Sequence, residues 1–173
     1  MIRTFAKILS LFFGLILPQT LSAQFMNIQI SIEPELSAEV EQVLNFGQVV
    51  SNSGISEIKL GDLNTGIFGI RAIRSQSLQI ELNYPDYLVR ENNPNDQIPL
   101  DLQISYNNSG SNNASKTKIL PNRMGNLIVG GSTVNDSGNF WRKLYLYVYG
   151  TIDVGDIPNG LYEADVTLFV SYD

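Results

Sequence analysis

The feature that most constrains this chain is a strict alternation of apolar and polar residues that recurs along its length. Met26, Ile28, Ile30 and Ile32 alternate with Asn27, Gln29, Ser31 and Glu33. Leu78, Ile80 and Leu82 alternate with Gln79, Glu81 and Asn83, and Leu100, Leu102, Ile104 and Tyr106 with Asp101, Gln103 and Ser105. Successive side chains of an extended strand point to opposite faces, so each run describes a strand with one buried and one wetted face. Shorter strand candidates are residues 43–49, 57–60, 67–73 and 127–129. Residues 140–152 are apolar on both faces, the pattern of a central strand or of one covered on both sides. Only residues 36–44 fit a helix, and that stretch is too short to shape the fold.

Between these runs lie clusters of Asn, Asp, Gly, Ser and Pro at residues 61–66, 91–96 and 107–115. Asn and Gly tolerate positive φ and Pro removes a ladder donor, so the clusters read as connections. The third is expected to be a mobile loop tip. Many short strands with turn signals every 8–12 residues or so predict an all-β, immunoglobulin-like β-sandwich. No linker or internal repeat divides it, so residues 24–173 form one expected domain.

Residues 1–23 read as an export signal instead of part of the fold. Arg3 and Lys7 give a positive start, Ile8 to Leu17 run apolar, Pro18 breaks the run, and Leu21-Ser22-Ala23 places small residues at a cleavage site. The apolar run is about half of the roughly 20 residues a spanning helix needs. The expected location of the mature chain is therefore outside the cytoplasm, from periplasm to cell surface or beyond, with no membrane span. Loss of Arg3 and Lys7 takes the net charge from −6 to −8. Such a surface repels phosphate backbones and anionic lipid, which argues against nucleic acid as a partner.

Several chemistries lack their residues. The chain has no His and no Cys, which removes Ser–His and Cys–His nucleophile pairs, thiol redox chemistry and the usual zinc sets. No glycine loop that would cradle a phosphate follows a strand and opens a helix. Two acids suffice for glycoside hydrolysis, and Glu163 with Asp165 or Asp153 with Asp156 are the available pairs. Both read more simply as wetted strand and loop positions, and Asp153 with Asp156 lacks the dense spacing of a calcium loop. The expectation is a non-enzyme with no cofactor and no metal.

The most informative stretch is the end of the chain. Pro158-Asn159-Gly160 supplies a turn, and Tyr162, Ala164, Val166, Leu168, Val170 and Tyr172 then form one unbroken apolar face. Gly160 ahead of alternating apolar residues and a penultimate Tyr172 resembles the C-terminal strand of chaperone–usher pilins. Leu44-Asn45-Phe46-Gly47 and the Pro-x-Gly-x-Tyr of Pro158, Gly160 and Tyr162 resemble shorter secreted pilin-like domains, the spore coat protein U group and a related bacterial domain of unknown function. The resemblance implies a sandwich lacking one strand, with an apolar groove beside the last strand. In such proteins a periplasmic chaperone recognises that strand, and a neighbouring subunit's N-terminal strand later fills the groove. It would make Gly160, Tyr162, Val166, Leu168, Val170 and Tyr172 the groove and chaperone strand, and Met26, Ile28, Ile30 and Ile32 the donor. The implied partners are other copies of the chain or related subunits, assembled as a fimbrial or surface structure. Residues 26–32 fit the domain's own first strand equally well.

A second reading starts from residues 140–152. Trp141, Tyr145, Tyr147 and Tyr149 share one face of that strand, with Lys143 among them. Rows of rigid amphipathic rings stack on sugars, so a self-complete glycan-binding or adhesin module is the alternative. Phe140, Leu144, Leu146 and Val148 make the other face equally apolar, and a central strand packed on both sides would look the same.

Overall fold

The structure, a computed structural model, describes residues 36–130 and 140–173, and the expected export signal lies outside them. It is an all-β sandwich. Eleven strands are described: β1 (Ser37–Gln42), β2 (Gly54–Ile58), β3 (Gly66–Ile73), β4 (Ser77–Asn83), β5 (Tyr87–Arg90), β6 (Asn93–Asn107), β7 (Lys118–Ile119), β8 (Met124–Ile128), β9 (Trp141–Val154), β10 (Tyr162–Glu163) and β11 (Thr167–Tyr172). Short 3-10 turns at Ala114–Lys116 and Pro121–Arg123 flank β7. Among the described residues, no helix is long and apolar enough to cross a membrane.

The larger sheet has the order β1-β3-β9-β6-β5-β10, with β2 added on β9 and β7 on β6; the smaller has the order β11-β4-β8. Every pairing is antiparallel. The two longest strands organise the larger sheet. One edge of β9 serves β3 through residues 141–148 and then β2 through residues 150–154. Its other edge pairs with the second half of β6, whose first half serves β5. Gly150 sits where β9 passes from β3 to β2, and a β-carbon there would collide with the Asp101 carbonyl oxygen of β6. Only glycine permits so close a backbone approach.

The core lies between the sheets and follows the alternation. Leu78, Ile80 and Leu82 of β4 and Leu127 of β8 meet Ile70 and Ala72 of β3, Ile98 to Ile104 of β6, and Leu144, Leu146, Val148, Ile152 and Val154 of β9. The polar partners Gln79, Glu81, Asp101 and Gln103 are exposed, as a half-buried strand requires.

Four expectations need correction. Residues 36–44 hold a strand, not a helix: β1 pairs with Ile67 to Arg71 of β3, and five of its six residues are exposed. Residues 43–49 carry strand-like residues but, among the described residues, form no ladder, and only Asn45 N–H finds a backbone partner, the Asn64 carbonyl (3.2 Å). Of residues 91–96, Glu91 and Asn92 alone make the turn, while Asn93 already pairs with Arg90. Pro94, which cannot donate to a ladder, falls in the irregular stretch between that pair and Val89↔Gln97.

The fourth correction concerns residues 107–115, which are tied down. Asn107 is 1% exposed; its Nδ2 donates to the Asn113 carbonyl (2.7 Å) and its Oδ1 accepts from Ser109 N–H (2.8 Å). Arg142 donates to the Ser109 carbonyl, and Tyr147 Oη donates to Asn112 Oδ1 (2.7 Å). The loop thus lies across the outer side of β6 and β9. It explains why Ser105, Asn107 and Tyr147 are buried although they point away from the core.

Candidate interaction groove

The C-terminal segment keeps its alternation while changing sheets. Tyr162 and Glu163 pair with Arg90 and Val89 of β5 in the larger sheet. Residues 164–166 cross over, and Thr167 to Tyr172 pair with Asn83 to Leu78 of β4 in the smaller one. Through that change Tyr162, Ala164, Val166, Leu168, Val170 and Tyr172 stay half-buried and packed against the core, while Glu163, Asp165, Thr167, Phe169 and Ser171 are exposed. Glu163 and Asp165 occupy the wetted face, as their simpler reading expects. Tyr172 ends the strand by joining the sheets, its Oη accepting from Ile73 N–H of β3 (2.9 Å).

Among the described residues β11 is an edge strand, with β4 as its ladder partner. Beside this C-terminal segment runs a groove with a volume of about 920 Å³. Residues 157–164 and Val166 form one wall and residues 42–49 the other. The floor is core: Phe68, Leu88, Ile98, Leu100, Val148 and Ile152 contribute to it. The second wall is an irregular segment without a ladder among the described residues, where Val43 and Val49 are exposed and Leu44 and Phe46 turn inward against the core. Two chain segments, one of them without a ladder among the described residues, therefore border one apolar trench. Unpaired strand edges and apolar surface both favour an added strand.

The structure brings together Gly160, Tyr162 and Val166 on one wall, and Leu168, Val170 and Tyr172 continue the same face along β11. Met26, Ile28, Ile30 and Ile32 lie outside the described residues. The opposite wall carries the Leu44-Asn45-Phe46-Gly47 stretch singled out in the sequence. Its Asn45 Oδ1 accepts from Gly47 N–H (2.8 Å), which fixes a local turn at positive φ.

The aromatic strand has a different character. Tyr147 is buried, whereas Trp141, Tyr145 and Tyr149 are half-buried. Each has a partner within the protein. The Arg71 guanidinium stacks 4.6 Å from the Trp141 ring centre, Lys143 Nζ lies 5.6 Å from that of Tyr145, and Tyr149 Oη shares a hydrogen bond with Ser105 Oγ (2.9 Å). Lys143 is held between Glu39 (2.8 Å) and Glu41 (2.6 Å) of β1, and these two carboxylates raise its pKa well above the ordinary lysine value. Desolvation raises the Tyr147 pKa in turn. The face is a set of internally satisfied rings, interrupted at Tyr147 by the loop that covers it.

Among the described residues no group of three or more acidic side chains is placed to hold a metal ion. No family profile matches this chain, and no curated protein matches it in sequence.

Proposed function

We propose that this chain is an exported surface-structural subunit, fimbrial or pilin-like, that assembles by strand donation. The observation that carries this reading is the apolar groove between a segment that forms no ladder among the described residues and the alternating C-terminal segment that leads into β11. In this scheme Met26, Ile28, Ile30 and Ile32 of one copy or of a related subunit enter the groove of the next. The added strand satisfies backbone groups on both walls and covers the apolar floor. Before assembly, a periplasmic chaperone would cover the same strand, with Val166, Leu168, Val170 and Tyr172 as its contact face.

Alternation suits residues 26–32 to this task, because every second side chain would point into the trench while the polar ones face water. The test is Ile30→Asp in the native host, with surface material run on denaturing gels either unheated or boiled. A charge entering the trench without a partner is costly, so the variant is expected to be exported yet to lose a heat-labile ladder that the unmodified protein displays. An undiminished ladder from the variant would refute the donor assignment.

A further inference from the structure

We propose that Asn159–Gly160 is a self-modifying site, where the asparagine converts spontaneously into an aspartyl or isoaspartyl residue at the groove's rim. It is the one place in the chain where asparagine precedes glycine. Both residues are exposed and lie in irregular backbone. Among the described residues, Gly160 N–H makes no backbone hydrogen bond and the Asn159 amide makes no side-chain hydrogen bond. The asparagines of the covering loop differ: Asn107, Asn108 and Asn113 each have their amide oxygen engaged, and each precedes a residue with a side chain.

The flanks are anchored while the dipeptide is not. Ser51 Oγ donates to the Ile157 carbonyl (2.9 Å) and accepts from Ile157 N–H (3.1 Å). Tyr162 Oη donates to the Pro158 carbonyl (2.8 Å), and Glu91 N–H donates to the Leu161 carbonyl (3.0 Å). Between these anchors no β-carbon on residue 160 hinders approach of its nitrogen to the Asn159 side chain. The Arg90 guanidinium lies against Gly160, with Nε 2.5 Å from where a β-carbon would stand; that Nε is buried without a partner. Nη1 of the same guanidinium is ion-paired with Asp96 (2.9 Å), and the positive charge left beside Gly160 favours loss of its amide proton, since a nearby opposite charge stabilises the anion.

The chemistry balances with water alone. The Gly160 amide gives its proton to solvent base, and its nitrogen attacks Asn159 Cγ. The new N–Cγ bond closes a succinimide as the Cγ–Nδ2 bond breaks and ammonia leaves. Water then adds to either ring carbonyl and reopens the ring, leaving a carboxylate on the side chain or, in the isoaspartyl form, on the main chain. Asn159 and Gly160 both line the groove. Either product therefore places a new negative charge at its rim, and the isoaspartyl form also lengthens the backbone just ahead of β10. If the groove accepts a strand as proposed above, subunits would age at that site; the modification itself does not depend on that reading.

The test is incubation of the purified full-length protein at neutral and mildly alkaline pH, followed by peptide mapping and enzymatic methylation of isoaspartate. The expected result is acid at residue 159 ahead of every other asparagine, accumulating in proportion to hydroxide concentration. Asn159→Gln should abolish the signal, and Arg90→Gln should slow it several-fold. An intact amide at residue 159 in the folded protein, under conditions that convert the urea-unfolded chain, would overturn the proposal. So would conversion spread evenly over other asparagines.

Discussion

Leu168 and Phe169 are neighbours on β11, yet replacing each by alanine should have very different consequences. Leu168 is half-buried and packs against the core, whereas Phe169 is 54% exposed on the outer face of the smaller sheet. Truncating a fully buried leucine costs about 2–5 kcal/mol, and the partial exposure of Leu168 places it at the low end, about 2 kcal/mol. Truncating a surface residue stays within about 0.5 kcal/mol. With a urea dependence of about 2 kcal/mol per molar, Leu168→Ala should lower the unfolding midpoint by about 1 M and Phe169→Ala by about a quarter of that or less. Fluorescence of Trp141, the chain's single tryptophan, reports the transition. Equal losses, or a larger loss at Phe169, would refute the register assigned to the C-terminal strand.

Further consequences can be checked in the same way. Asn107→Ala removes two hydrogen bonds that hold the covering loop, at about 1 kcal/mol each, so it should cost about 2 kcal/mol in urea unfolding. Asn112→Ala, at an exposed position with one bond to Tyr147, should cost less than half of that. Tyr147 and Lys143 both have folded-state pKa values raised above their ordinary ones, so above about pH 10 the unfolded chain releases protons first. Their contribution is present below that range and lost as pH rises through it. Tyr147→Phe should therefore flatten the alkaline fall of stability in a pH series of melting temperatures.

Much of this architecture is legible in the alternation, because burial on one face leaves a period of two wherever a strand packs on the core. β4, the second half of β6 and β11 carry that mark. β1 does not, since five of its six residues are exposed and it is held by its ladder to β3 instead of by burial. β5 and β7 are four and two residues long, too short to show a period. The inverse case is residues 43–49, which have the composition of a strand and no ladder among the described residues. An apolar pattern reports a tendency to be covered, and the covering element belongs to tertiary structure.

The candidate site was half legible for the same reason. Both walls were visible as motifs: Leu44-Asn45-Phe46-Gly47 on one side, and Gly160 through Tyr172 on the other. Their juxtaposition depends on the change of sheet between Glu163 and Thr167, which no local pattern encodes. The shared face of Tyr145, Tyr147 and Tyr149 also followed from the period of two. That residues 107–115 would fold back over Tyr147 did not, because polar loop residues carry no periodic signal of what they cover.

The most direct test of strand donation uses the absence of cysteine in this chain. Ile30→Cys and Val166→Cys are made in separate copies, one differing in size by a tag. The two are co-expressed in the native host, and surface material is analysed without reductant. If residue 30 of one subunit lies in the groove of another, a disulfide-linked species containing both chains should form in the mixture and be absent from either variant alone. Ladders that persist with no such crosslink, or a bond formed only within one chain when both substitutions are combined, would contradict donation between subunits.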